Sequence, residues 1–594
     1  MTSSTTQLIE VQERQDTPGV RIAIEGCGHG TLNNIYSSIT AACKAKSWPG
    51  VDLLIICGDF EAIRNSYDLH AMAVPAKYRH MGDFHEYYSG ARTAPYLTLF
   101  IGGNHEASNY LFELYYGGWV APNIYYMGAA NVLRLGPLRI AGMSGIWKGG
   151  HYRKQHYERL PYNDDHLRSI YHIRELDVRK LLQIRTQVDI GLSHDWPARI
   201  EWCGDWKDLF RRKAHFEADA RNGTLGSIAA KEVLERLRPR YWFSAHMHVR
   251  FTALVKHNVD HLNPSSSPNQ QYPQVVNLHA IDLDIGEDEA VVQQTNDTNT
   301  RGDVANSDEI QLDLSDLEND AALPSMSLNN GTHNPDEIQI DEEDDKKPQS
   351  DTLNALPAQK ADTGISEDLR AQLPDSFKRP VSPKKLAFPQ AIRNDCTKFL
   401  ALDKCLPNRD FLQLSDILLP EQVGESRTRP FRLEYDKEWL AITRVFAKEL
   451  VLGRNNFPVP RHKGEDVYRK LIEQEEEWVE QHIASQGSML IPDNFVKVAP
   501  VYDPLVGPET RELPKEYANP QSTQFCSMLQ IDNPFEMAKE EKARREAESS
   551  RIQNELSRFG RGQFGDRGRN SRGGRGNRGG RGRGGYGRGQ THTH

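Results

Sequence analysis

The chain has 594 residues, 38% hydrophobic and 26% charged, with a formal net charge of -9. That supplies at least one sizeable core, but the average is too polar for a chain folded throughout, so disordered segments are expected. Seven cysteines, an odd number without framework spacing, argue against a disulfide scaffold, and no long apolar run indicates a signal peptide or membrane span.

Residues 1–18 are polar and read as a disordered N-terminus. From 19 to 284 short β-branched, apolar runs end in Gly-rich or His-containing turns: Val20-Ile24, Val51-Cys57, Tyr96-Ile101, Leu138-Ala141, Val188-Leu192 and Tyr241-Ser244. Segments of helical spacing, Thr31-Lys46 and Leu176-Ile184 among them, separate several of these runs. The pattern predicts an α/β sandwich of buried strands flanked by helices.

Residues 285–385 shift to Asp, Glu, Asn, Ser, Thr and Pro and read as a disordered acidic linker. It includes Glu342-Asp345 and ends in the basic pairs Lys378-Arg379 and Lys384-Lys385. Such a cluster serves as a nuclear import signal or arises by chance, and both readings stand. Apolar residues return over 386–536, which predicts a second, mainly helical domain including Thr397-Leu402, Trp439-Leu452 and Tyr468-Gln481. A charged helix is expected over 537–558 and an Arg-Gly-rich disordered tail over 559–594. The net charge therefore averages an acidic middle with a basic end. The tail, with Phe564 and Tyr586 among its arginines, either binds RNA weakly without sequence preference or only solubilises the chain.

The turns after the apolar runs carry the chemistry. Gly26-Cys27-Gly28-His29 follows the first run and Gly58-Asp59 the second; Gly102-Gly103-Asn104-His105-Glu106 follows the third. Ser193-His194-Asp195-Trp196-Pro197 and Ala245-His246-Met247-His248 follow two later runs. Each alone has a bland reading as a cap, a turn or a satisfied histidine. Together they stand at strand C-termini, where an open α/β sheet gathers its ligands. Cys27, His29, Asp59, Asn104, His194, His246 and His248 suffice for two adjacent cations sharing Asp59. Such a pair hydrolyses phosphate esters by polarising the phosphate and activating water. His105 is surplus to the ligand count and is the candidate general acid, with Glu106 in an orienting role.

In this order the motifs resemble those of the calcineurin-like metallophosphoesterases, whose first motif is usually Asp-x-His. Cys27 stands in place of that Asp, which resembles the RNA lariat debranching enzymes in particular. So do Ser144-Gly145-Ile146-Trp147-Lys148, Tyr152-Arg153-Lys154, Pro161-Tyr162-Asn163 and Ser169-Ile170-Tyr171-His172, similar to that family's lariat-recognition loop at about 144–174. The run Cys396 to Cys405 is similar to its C-terminal domain.

The resemblance implies hydrolysis of the 2'-5' phosphodiester at the branch of excised introns, which linearises them for turnover during mRNA processing. It also implies one metal pocket of Cys27, His29, Asp59 and His248 and another of Asp59, Asn104, His194 and His246. A thiolate ligand favours Fe(II) or Zn(II) over Mg(II), with Mn(II) able to substitute. Aromatics interleaved with cations in the loop make Ser144, Gly145, Trp147, Lys148, Tyr152, Arg153, Tyr157 and Tyr162 candidate RNA contacts.

The partners implied are branched RNA and, less directly, spliceosome-associated or RNA-processing factors, with no membrane. The expected location is nuclear, with shuttling to the cytoplasm left open. The competing readings are a generic calcineurin-like phosphatase or nucleotide phosphodiesterase and a non-catalytic RNA-binding scaffold; every ligand position is filled, which disfavours the scaffold.

Overall fold

The computed structural model describes residues 19–257, 386–418, 429–454, 457–507, 510 and 512–562. The expected N-terminal segment, the acidic linker with its basic clusters, residues 258–284 and the tail beyond 562 lie outside the described residues.

All six anticipated runs form strands: β1 (Val20–Glu25), β2 (Leu53–Ile56), β3 (Thr98–Phe100), β7 (Leu138–Met143), β8 (Ile190–Ser193) and β9 (Tyr241–Ser244). Between and after them come β4 (Gly118–Ala121), β5 (Ile124–Tyr126), β6 (Ala130–Leu135) and β10 (Phe251–Lys256). The C-terminal part adds β11 (Cys396–Ala401), β12 (Leu412–Ile417) and β13 (Leu433–Tyr435). One sheet runs β12-β1-β2-β3-β5-β4 and the other β10-β11-β9-β8-β7-β6-β13.

The period-two alternation of the central strands builds the layers. Ile22, Ile24, Leu53, Ile55 and Leu99 of the first sheet share one buried cluster with Val132, Ile140, Ile190, Leu192 and Trp242 of the second. Their neighbours Ala23, Leu54, Ile56 and Phe100 point the other way, against Leu32, Ile35, Tyr36 and Ile39 of helix Leu32–Ala45. In that helix the buried residues recur at helical spacing. The predicted α/β sandwich is the observed fold.

The mainly helical C-terminal part expected over 386–536 also contributes strands. Helices Lys437–Ala447, Glu465–His482 and Pro520–Leu529 are present, but three strands from the segment complete the sheets. β11 lies between β9 and β10, with Phe399 opposite Trp242 and Ala253. β12 covers the open edge of β1, and β13 covers β6. The described residues on either side of the linker pack as one unit. The reason is edge complementarity: β1 and β9 carry unpaired backbone groups on one side, and strands distant in sequence satisfy them. A buried ion pair fixes the join, Arg139 donating to Asp436 at 2.7 Å and Glu438 at 3.0 Å. Beyond it, the expected charged helix spans Lys539–Gly562.

Segment 144–174 is tied down along its length. Ile146 bridges His172, Lys154 bridges Pro458 and His156 bridges Leu452. A fully buried Arg174–Glu158 pair closes its base.

Candidate metal centre

The C-terminal ends of the parallel strands bring the predicted ligands together. β1 runs into Cys27 and His29, β2 into Asp59, β3 into Asn104 and His105, β8 into His194, and β9 into His246 and His248. Four of these residues hold left-handed backbone: His29 (φ 41°), Asp59 (φ 46°), His246 (φ 65°) and His248 (φ 48°). That conformation is unfavourable for side-chain-bearing residues and persists where surrounding contacts impose it, characteristically at functional sites.

One ligand atom each from Cys27, His29, Asp59 and His248 lies within 4.8 Å of the others, the composition of the first expected pocket. His29 Nε2 is 3.4 Å from His248 Nε2 and 3.8 Å from Asp59 Oδ2. Cys27 is fully buried, and its Sγ accepts the His246 N–H at 3.2 Å.

On the other side of Asp59, His194 Nε2 stands 3.4 Å from Asp59 Oδ2. His194 Nδ1 is 2.8 Å from the Cys57 carbonyl oxygen, which leaves Nε2 for the centre. The His194 and His246 rings are 5.0 Å apart. His194 Nε2 and Asn104 Oδ1 are both buried with no hydrogen-bond partner. Buried lone pairs left without a partner in this way, beside a carboxylate and a second imidazole, fit a divalent cation with mixed N and O ligands.

The electrostatics follow from burial around one carboxylate. Burial acts to raise Asp59, but the charges of His194 and His105 hold it well below the usual carboxylate range. Burial pushes His246 down to about 3 and His248 to about 2, aided by neighbouring histidines. Neutral imidazoles are the ligand form. Burial also raises the Cys27 thiol, an effect that a bound cation would oppose. For His29, burial acts downward, but the Glu61 hydrogen bond and the Asp59 charge outweigh it and leave the ring raised.

His105 is buried beside this cluster, its ring centroid 5.2 Å from that of His29. Its N–H donates to Asp59 Oδ1 at 2.9 Å. The orienting role expected of Glu106 takes a different form. Its carboxylate accepts N–H bonds from Phe60, Glu61 and Gly103, each at 2.9 Å. It ties the Asp59 turn to the Asn104 turn.

Sequence reasoning missed Glu61, whose Oε1 lies 3.0 Å from His29 Nδ1 and fixes that ring's orientation. No residue spacing announced it, because it approaches His29 only through the turn after β2. Ser144 and Gly145, expected at the RNA, also make framework contacts. Ser144 Oγ accepts the Gly102 N–H at 2.9 Å and donates to the Gly128 carbonyl at 2.7 Å. A Cβ on Gly145 would lie 1.9 Å from the Tyr171 carbonyl oxygen.

Trp147 and Tyr152 pack with ring centroids 4.8 Å apart, and the Trp147 N–H donates to Asp195, next to His194, at 3.3 Å. Arg153 is exposed, and Lys148 and Tyr157 are half-buried. Tyr157 donates to Ser169 at 3.0 Å, and the Tyr162 hydroxyl is buried.

Close packing makes one substitution diagnostic. A Cβ on Gly103 would sit 2.1 Å from Asp59 Oδ1. Gly103→Ala is therefore expected to displace Asp59 and cut turnover on the order of 100-fold, the cost of a misplacement near 1 Å. Because the same Cβ would lie 2.5 Å from the Asp59 backbone nitrogen, the thermal midpoint should fall as well, and metal titration should weaken; unchanged titration would contradict this.

A β-sandwich that gathers thiolate, imidazole, carboxylate and amide ligands at its strand ends defines a calcineurin-like phosphoesterase with divalent metal cofactors. The family model for calcineurin-like phosphoesterase matches residues 20–250, and that for the lariat debranching enzyme C-terminal domain matches 394–534. The lariat debranching enzyme of Schizosaccharomyces pombe is 37% identical over 516 residues, 85% of this chain and 95% of the relative. The Homo sapiens enzyme is 36% identical over 512 residues, 86% of this chain and 69% of the relative. That of Danio rerio is 36% identical over 519 residues, 87% and 67%. The chain belongs to the lariat debranching enzyme family.

Proposed function

We propose that this protein hydrolyses the 2'-5' phosphodiester at the branch of excised intron lariats and so linearises them for turnover during mRNA processing. The carrying observation is the convergence of Cys27, His29, Asp59 and His248 within 4.8 Å beside the orphaned His194 Nε2 and Asn104 Oδ1. Cys27, His29, Asp59 and His248 would hold one ion, and Asp59, Asn104, His194 and His246 the other. When bound, such ions neutralise phosphate charge and make hydroxide available near neutral pH.

The protein's own residues do the rest. Glu61 fixes the His29 ring, Glu106 locks two ligand turns together, and His105 delivers a proton to the departing 2'-oxygen. Trp147, Lys148, Tyr152 and Arg153 are the candidate RNA contacts, offering aromatic faces for splayed bases and cations for phosphates. The Cys27 sulfur supports an Fe(II)/Zn(II) pair, with Mn(II) as a substitute. A nuclear location accords with the intron substrate and with the basic pairs near residue 380.

The test compares a 2'-5' branched RNA, a linear 3'-5' RNA and an aryl phosphate as substrates for anaerobically purified protein whose Fe and Zn content has been measured. Cleavage confined to the branch is expected. Equal rates on all three would favour a generic phosphodiesterase, and active protein with neither metal above background would reject the Fe/Zn assignment.

A further inference from the structure

The segment Asp403-Lys404-Cys405 belongs to the C-terminal part, yet it lies against the metal centre. Lys404 forms an isolated parallel bridge with Cys27. The Cys27 N–H donates to the Asp403 carbonyl, and the Cys405 N–H to the Cys27 carbonyl, both at 3.4 Å. A Cβ on Gly26 would lie 2.1 Å from the Asp403 carbonyl oxygen, so the two backbones touch.

Lys404 is itself buried, 8% exposed. Its neighbouring carboxylate is already engaged: Asp403 accepts from Arg409 at 3.3 Å and from the Lys404 N–H at 2.7 Å. Among the described residues the Lys404 ammonium forms no ion pair. An ammonium without an ion pair is available to an anion brought to the centre. Its charge is felt by both His29 and His248, where it acts to lower the imidazole pKa. Its backbone lies against Cys27 and its charge reaches His29 and His248, three of the four residues of the first expected pocket.

We propose that Lys404 binds a non-bridging oxygen of the scissile phosphodiester, so that the C-terminal part supplies a substrate contact to a centre otherwise built by the N-terminal strands. The inference rests on the phosphodiesterase reading above. A lysine suits the role because a compact ammonium stabilises charge that builds on phosphate oxygens during displacement. The rival is a structural lysine that only offsets the buried acids Glu25 and Asp59.

The experiment uses the full chain, metal-loaded, with Lys404→Gln and Lys404→Arg. Lys404→Gln should lower kcat/KM on branched RNA on the order of 100-fold. It should also weaken inorganic phosphate binding, measured by calorimetry, by about tenfold, with metal content and thermal midpoint unchanged. Lys404→Arg should restore most of both. Wild-type phosphate affinity in Lys404→Gln, or a loss of rate that tracks loss of metal or of folding in both variants, would overturn the proposal. Phosphate affinity does not depend on which ester is cut. A wild-type protein that binds phosphate through Lys404 but leaves branched RNA intact would thus refute the debranching assignment alone.

Discussion

Asp59→Asn is expected to give a folded protein that retains little metal and cleaves branched RNA at least about a thousandfold more slowly, the several kcal/mol that metal assistance contributes. Asp59 is the one ligand shared by both expected pockets. It is 1% exposed, with Oδ2 3.4 Å from His194 Nε2 and 3.8 Å from His29 Nε2. Its other oxygen receives the His105 N–H at 2.9 Å. Asparagine keeps the shape but removes the charge that the surrounding imidazoles hold in place, and it turns one oxygen into a donor. The fold should survive, because Glu106 independently pins the same turn through Phe60 and Glu61. Elemental analysis together with single-turnover cleavage checks the prediction. A variant with full metal and full rate would remove Asp59 from the centre.

His105→Ala should leave metal content unchanged while lowering kcat on branched RNA by roughly 10²- to 10⁴-fold, the usual contribution of a positioned proton donor. The geometry admits a rival role, since His105 also lies with His29 and Glu61 in a group able to ligate a cation. Two measurements separate the roles. Loss of metal would mark His105 as a ligand, whereas retained metal with lost turnover marks it as the acid. The leaving group supplies the second criterion. A 2'-alkoxide needs a proton as it departs, but an aryl oxide does not, so the variant should recover most of its relative activity on an activated aryl phosphodiester. Burial lowers the His105 pKa, so less of the ring carries the transferable proton near neutral pH and the rate it supports should fall as pH rises.

The electrostatic setting opposes the thiolate form of Cys27 until a cation is bound. Glu25 and Asp59 both act to raise its pKa, on top of burial. Without a cation the thiol stays protonated and accepts only the His246 N–H. Metal binding and deprotonation at this position are therefore coupled, and occupancy should fall as pH drops.

Local chemistry was legible from the chain itself. Apolar, β-branched runs followed by Gly, His, Asp or Asn announce buried parallel strands with polar ends, and a parallel sheet gathers such ends along one edge whatever the loop lengths between them. Cys27, Asp59, Asn104 and the histidines could thus be grouped without coordinates, because strand direction alone carries them to the same rim.

Other features depend on pairing between residues hundreds of positions apart, and nothing local encodes it. Which strand covers the edge of β1 is settled by the fit of Leu412–Ile417 against it, and the same fit lays Lys404 beside Cys27. Glu106 binds three backbone amides because two turns converge on it, a role its place next to His105 did not suggest. Ser144 ties two turns together through Gly102 and Gly128, a framework contact that its place in a basic, aromatic loop did not suggest. Periodicity reports which face of a strand is buried; only the assembled sheets decide what each buried polar group must satisfy.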